Sequence, residues 1–259
     1  MKIHFTKYQG TGNDFIMIDN RAATFNKENT ELIALLCDRR FGIGADGLIL
    51  LENDKNADFR MVYFNSDGRE SSMCGNGGRC LVAFAKSLGI VGTNTRFTAV
   101  DGEHEARISG DEVSLKMIDV PAVRIEPDFV FINTGSPHHV AIVNGLEGMD
   151  VKSEGAKIRY SNLYGTEGSN VNFAVPVSES HFAVRTYERG VEDETLSCGT
   201  GVTAVALAMH ALGKTHRQEV QLHTPGGTLS VRFQTKGAGY SDIWLTGPAQ
   251  AVFYGEFSR

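Results

Sequence analysis

The chain has 259 residues and a formal net charge of −6, with 41% hydrophobic and 22% charged residues, a globular composition that excludes a disordered chain and has room for one large domain or two ordinary ones. Glycine is in surplus, 29 residues or about 11% against roughly 7% in average usage, while proline is scarce at 6; this suits tight turns and close backbone approach rather than collagen or a Pro-rich linker. The mild acidity argues against a nucleic-acid partner, the apolar runs are too short for a membrane span, and residues 1–7 hold no apolar signal segment, so a cytoplasmic protein with reduced thiols is expected.

In chain order, period-two patterns predict strands near 2–8 and 14–19. A helix near 28–39 carries Leu32, Leu35 and Leu36 at helical spacing. Gly42-Ile43-Gly44-Ala45-Asp46-Gly47 matches G-x-G-x-x-G, but it follows a helix and opens the strand-like Leu48-Ile49-Leu50-Leu51. That order reverses the dinucleotide-binding arrangement, so it is read as a tight helix-to-strand turn. Strands follow near 47–52 and 59–65, then a helix after Cys74 with a Leu81, Phe84, Ala85, Leu88 stripe that stops at Gly89. Further strands are expected near 95–100, 104–109 and 112–118. A second strong helix runs from Val202 to Leu212, small or apolar nearly all round, and should be buried on most sides. The tail 249–254 alternates weakly and is read as a strand returning to the first sheet.

The chain also repeats itself. Glu70-Ser71-Ser72-Met73-Cys74-Gly75-Asn76-Gly77 matches Glu194-Thr195-Leu196-Ser197-Cys198-Gly199-Thr200-Gly201 at a displacement of 124 positions. At the same displacement Phe5 meets Phe129, Tyr63 meets Tyr187, Leu88 meets Leu212 and Gly89 meets Gly213. Two copies of one half are therefore expected: 1–119 plus 248–259, with Cys74, and 120–247, with Cys198. Tandem strands around one buried helix point to α+β rather than a doubly wound parallel sheet.

The paired cysteines each precede a Gly-X-Gly at the start of a helix. Unpaired N–H groups and the helix dipole there raise the thiolate fraction of a thiol and can bind a carboxylate. Two such ends would place thiols on opposite sides of one carboxylate-bearing carbon, one removing a proton and the other delivering one, which is two-base racemisation or epimerisation. Cys37 and Cys80 read as packing residues, and Cys-x5-Cys is no usual zinc spacing. Pro137-His138-His139 lacks a third ligand at a recognisable spacing, so no metal is expected; a His and an acid tuning the thiols fit better, with Glu188 close to the second cysteine loop. Asn13, Asn65, Asn76, Asn170 and Asn172, with Arg189, would make a pocket for a zwitterionic, multiply charged ligand.

These residues resemble the diaminopimelate epimerase family over essentially the whole chain. The resemblance rests on Gly10-Thr11-Gly12-Asn13-Asp14-Phe15, Gly42 to Gly47, Phe64-Asn65-Ser66-Asp67-Gly68, Met73-Cys74-Gly75-Asn76-Gly77-Gly78-Arg79-Cys80, Gly135-Ser136-Pro137-His138, Tyr187-Glu188-Arg189-Gly190 and Cys198-Gly199-Thr200-Gly201. It implies two pseudo-symmetric α+β halves, each a curled mixed β-sheet around a central helix, with the active site in the cleft between them. It implies a thiolate/thiol pair of Cys74 and Cys198 that interconverts LL- and meso-2,6-diaminopimelate without PLP, metal or nucleotide, in a homodimer. By the same resemblance, backbone N–H groups at Gly75-Asn76 and Gly199-Thr200 hold the reacting carboxylate. Asn13, Asn65, Asn170 and Arg189 hold the substrate, Ser136 touches it, and Glu188 and His138 engage the reacting amine and tune the thiols. The chain departs from the pattern at Ser136, where many members have Asn, and at Gly47, where some have Gln. Two other functions fit parts of the pattern: a proline or hydroxyproline racemase of the same fold, and a thiol redox or metal-binding protein. Arg189 favours a diacid over proline, which has no distal carboxylate.

Overall fold

The structure is a computed structural model that describes residues 2–258. In chain order the elements are β1 (Lys2–Gly10), β2 (Asn13–Asp19), α1 (Thr30–Cys37), β3 (Gly47–Glu52), β4 (Phe59–Asn65), α2 (Gly75–Ser87), β5 (Asn94–Ala99), β6 (Gly102–Ser109), β7 (Glu112–Lys116), β8 (Arg124–Ile125), β9 (Val130–Asn133), β10 (Pro137–Ile142), α3 (Val151–Arg159), β11 (Asn170–Ser178), β12 (His181–Glu188), β13 (Asp193–Thr195), α4 (Gly199–Ala211), β14 (Glu219–Thr224), β15 (Gly227–Lys236), β16 (Gly239–Pro248) and β17 (Gln250–Ser258). The chain divides into two compact units, Met1–Leu115 with Gly247–Arg259, and Lys116–Thr246.

In the first unit β17 pairs antiparallel with β1, so the tail does return to the first sheet. From β1 the order runs β2, β3, β4, β5, β6, β7, with parallel pairs at β2/β3 and β4/β5 and antiparallel pairs elsewhere. The second unit repeats that topology. Its sheet runs β8, β9, β10, β11, β12, β14, β15, β16, with parallel pairs at β10/β11 and β12/β14. In each unit the two parallel pairs are joined through helices: α1 and α2 in the first, α3 and α4 in the second. A parallel connection needs such a crossover, because a tight hairpin cannot reverse the chain twice.

The mixed sheet wraps a central helix in both units. In the first, α2 packs on β1, β2, β3, β6 and β17, and Leu81, Val82 and Ala85 join Phe15, Ile49, Phe59 and Phe97 in one core. In the second, α4 packs on β9, β10, β11, β12, β14 and β15. Every residue from Gly201 to Met209 is buried, which accounts for the lack of a polar face in its sequence. The other sheet face carries the outer helix. Alternate residues of β3 divide accordingly: Leu48 and Leu50 pack with Leu32, Ile33 and Leu36 of α1, while Ile49 and Leu51 pack towards α2. Coverage on both faces explains the unbroken apolar run Leu48-Ile49-Leu50-Leu51. The outer helix α3 has no counterpart among the elements read from the sequence; its stripe is weak, and only Val151 and Gly155 are buried.

Gly42 to Gly47 forms the turn expected of it. An added Cβ at Gly42 would lie 1.8 Å from the Leu35 carbonyl oxygen, and Gly44 has φ +81°. Both positions therefore need glycine. Ile43 and Gly44 donate to the Leu36 carbonyl and Ala45 to that of Cys37, which closes α1 and aims the chain into β3. Among the described residues no helix is long and apolar enough to cross a membrane.

Candidate active site

Cys74 and Cys198 occupy the N-cap positions of α2 and α4, in nearly the same extended conformation (φ −105°, ψ 122° and φ −120°, ψ 113°). Neither side chain caps its own helix, and neither helix has an acid in its first turn. The outer helices differ: Asn29 accepts from Leu32 N at 3.0 Å and Asp150 accepts from Ser153 N at 3.0 Å. The N-cap side chain thus satisfies N–H groups on α1 and α3, and makes no such bond on α2 and α4. All four cysteines are thiols. Burial pushes Cys37 and Cys80 up to about 12, which removes both from thiolate chemistry at neutral pH and fits their reading as packing residues.

In the first unit, Asn76 sits buried in the first turn of α2 and donates from Nδ2 to Asn13 Oδ1. Asn13 in turn donates to Asp46 Oδ2 at 3.0 Å. Asp46 and Asp14 are both bound by Arg39, and Lys7 closes the group through Asp14 at 2.7 Å. Arg79 is fully buried in the second turn of α2; it donates to Thr11 Oγ1 at 2.9 Å, while its Nε and Nη1 have no hydrogen-bond partner among the described residues. Burial disfavours its charge, and a thiolate at Cys80 or Cys74 would favour it. Asn65 ends β4 exposed, with its backbone in the turn to Gly68 and Arg69. Asn13, Gly75, Asn76 and Cys74 are thus brought together, and Asn65 stands apart from their hydrogen bonds.

In the second unit two groups form. Asn170 donates to Ser136 Oγ at 2.8 Å and to the Pro137 carbonyl at 3.0 Å, and accepts from the Arg189 backbone at 2.9 Å. The Arg189 guanidinium donates to the Glu167 carbonyl at 3.1 Å. The other group surrounds Cys198. Thr200 Oγ1 lies 3.5 Å from its sulfur and 2.9 Å from His138 Nε2. Glu188, at the end of β12, hydrogen-bonds with Cys198 and accepts from Thr195 Oγ1 at 2.5 Å. Burial pushes the Glu188 carboxyl above its ordinary range, and those two hydrogen bonds only partly oppose it. His138 is fully enclosed; burial, with the Arg189 charge, pushes it down to about 3, so it is a neutral imidazole at physiological pH.

Asp46, Thr195, Asn172 and Thr186 carry no sequence signal for a role at the thiols. Asp46 and Asn172 lie in motifs or clusters already noted; only contacts across strands distinguish them. Among the described residues no three His, Cys, Asp or Glu side chains gather as a metal site.

The family model described as Diaminopimelate epimerase matches residues 5–122 and 130–252. A diaminopimelate epimerase of Flavobacterium psychrophilum is 60% identical over 254 residues, covering 98% of each chain. One from Chlorobaculum tepidum is 45% identical over 256 residues, covering 95% of this chain and 98% of the other. Among solved structures, a Bacillus anthracis phenazine biosynthesis protein of the PhzF family superposes with TM-score 0.77 at 14% identity, covering 100% of both chains. A probable proline racemase from Agrobacterium radiobacter gives TM-score 0.70 at 16% identity, covering 99% of this chain and 93% of that one. At such identities the two structures share the fold.

Proposed function

The chain belongs to the diaminopimelate epimerase family, and from that premise we propose that it interconverts LL- and meso-2,6-diaminopimelate through the thiols of Cys74 and Cys198. The observation that carries this reading is the matched pair of uncapped helix N-termini, each headed by a cysteine in the same backbone conformation. One thiolate removes the α-proton, leaving its electron pair on the carbon and the adjoining carboxylate. The other thiol returns a proton to the opposite face, and the two roles exchange in the reverse direction. Backbone N–H groups of Gly75, Asn76, Gly199 and Thr200 hold the reacting carboxylate, where the developing charge is best stabilised. Asn13, Asn65, Ser136, Asn170 and Arg189 hold the rest of the substrate, with Arg189 on the distal carboxylate. Glu188 meets the reacting amine beside Cys198, and His138 tunes that thiol as a neutral hydrogen-bonding group.

We propose further that the two units are the catalytic halves, that the enzyme needs no PLP, metal or nucleotide, and that it works as a cytoplasmic homodimer in the supply of lysine and peptidoglycan precursors.

The test is α-proton exchange in deuterated water, with a chiral assay of LL- against meso-diaminopimelate and no added cofactor. Wild type should exchange and epimerise. Cys74→Ala and Cys198→Ala should each lose epimerisation by at least about 10³-fold. Full epimerisation by either variant would overturn the mechanism, and turnover of proline but not diaminopimelate would overturn the substrate.

A further inference from the structure

Asn172 lies on β11, fully buried, beneath the first turn of α4. An added Cβ at Gly201 would meet Asn172 Oδ1 at 2.5 Å. The matching glycine of α2 is Gly77, and the side chain it meets is Ile49, at 2.8 Å. Across the sheet Asn172 pairs with Thr186, where Ile49 pairs with Tyr63. The same fold therefore accepts an isoleucine at this place. Burying a carboxamide instead is costly unless every polar atom is satisfied, so its partners explain why it is there.

Those partners fix the direction of each hydrogen bond. The His139 carbonyl can only accept, and it lies 3.0 Å from Asn172 Nδ2, so that atom is the amino group. Thr186 donates to Oδ1 at 3.0 Å, which agrees. The same amino group lies 3.1 Å from His138 Nδ1, so Nδ1 is an acceptor and carries no proton. A neutral imidazole then has its proton on Nε2, which faces Thr200 Oγ1 at 2.9 Å. Thr200 accepts that bond, and Cys198 Sγ is 3.5 Å from its hydroxyl.

We infer that Asn172 is a positioning residue for Cys198: it sets the tautomer of His138, so that Nε2–H is donated to Thr200 and the Thr200 hydroxyl hydrogen is turned onto the sulfur. The inference rests on the reading that Cys198 is one of the two reacting thiols. The chain supplies a donor to a thiolate without placing a permanent cation beside it. It also makes His138 a fixed donor and not a proton carrier, consistent with the burial that keeps it neutral. The titratable and charged groups that bear on Cys198 are Glu188 at the end of β12, His138 on β10, and Arg189 after β12, whose charge acts on His138; the first turn of α4 adds no acid.

Two measurements on the substrate-free enzyme test this. In protein labelled with ¹⁵N-histidine, the His138 ring nitrogens should report a protonated Nε2 and a bare Nδ1 from pH 6 to 8, with the signal assigned by its loss in His138→Gln. A protonated Nδ1 in that range would overturn the inference and needs no variant fold to be trusted. Alkylation of Cys198 by iodoacetamide, followed by peptide mass spectrometry so that Cys74 is read separately, should slow roughly tenfold at pH 7 in Asn172→Leu and in Thr200→Val. The pH midpoint should rise in both, the double variant should show no further loss, and Cys74 should be unchanged. An unchanged Cys198 profile in Thr200→Val, or additive losses in the double variant, would overturn it. Neither measurement uses substrate, so failure here is separate from failure of the epimerase reading, which α-proton exchange by Cys198→Ala decides.

Discussion

Asn13 donates its side-chain amide to Asp46 Oδ2 at 3.0 Å, so the residue proposed to hold substrate is itself held by the Gly42–Gly47 turn. Asp46 is anchored in turn by Arg39 at 2.7 Å, and its Oδ2 also accepts from the Asp14 backbone at 3.2 Å. With its amino group on Asp46, Asn13 must present Oδ1 to Asn76, as the structure shows. Asp46→Ala should therefore raise KM about tenfold with a smaller fall in kcat, and Asp46→Asn should recover part of the loss. Steady-state epimerisation by the two variants checks this; equal KM in Asp46→Ala and wild type would rule it out.

The ion group behind Asp46 predicts acid sensitivity. Burial pushes the Asp14 carboxyl upward, but hydrogen bonds and charge from Arg39 and Lys7 outweigh it and hold the group well below the usual carboxylate range. A carboxyl lowered by folding adds stability above its unfolded pKa of about 3.9, and that stability is lost as pH falls further, through the folded value. Asp14→Asn leaves Lys7 buried with one partner fewer and should cost about 3 kcal/mol at pH 7. Its urea midpoint should also change less than that of wild type between pH 5 and pH 3.

Glu188 titrates above its ordinary range because burial dominates, and the Thr195 hydroxyl is one of the two bonds that oppose the rise. Thr195→Val removes a donor to the carboxylate and should push Glu188 further up. With the carboxylate as the active form, the acid limb of kcat/KM should move to higher pH, with the plateau above it little changed. A limb that stays in place would show that Glu188 does not set it.

Arg79 is a buried cation with two nitrogens lacking a hydrogen-bond partner, one helical turn beyond Cys74. A buried charge without an ionic partner carries a desolvation cost that a neutral apolar side chain of similar volume does not. Arg79→Met should keep the melting temperature of wild type or exceed it, yet slow Cys74 alkylation at pH 7 and lower kcat/KM by tenfold or more. A variant that melts much lower would mark Arg79 as structural.

Gly47 has no room for a side chain: an added Cβ would lie 2.5 Å from the Phe64 carbonyl oxygen and 2.5 Å from Tyr63 Cε2. Gly47→Gln should lower stability by about 1–3 kcal/mol in thermal or urea melts. Tyr63→Ala in the same chain should restore only part of that, because the carbonyl contact remains.

The sequence alone carries the internal repeat, the two cysteine-headed helices, and most of the side chains proposed for the site. Caps and apolar periods are local signals that show within one turn or one strand, and the repeat shows as one short run of residues that recurs 124 positions on. No local pattern marks α3, although displacing α1 (Thr30–Cys37) by the 124 positions that separate Cys74 from Cys198 falls on it, because an outer helix with little buried surface has a weak stripe. What each candidate site side chain touches was decided only by tertiary structure. Gly47 reads as a departure from a pattern, and the reason appears when β4 brings Tyr63 against it. Asp46 reads as part of a turn until β2 carries Asn13 to it. Asn172 is one asparagine among several until β10, β12 and α4 surround it with a carbonyl, an imidazole and a hydroxyl. The direction of a buried hydrogen bond depends on partners far away in the chain, and no local pattern of residues encodes it.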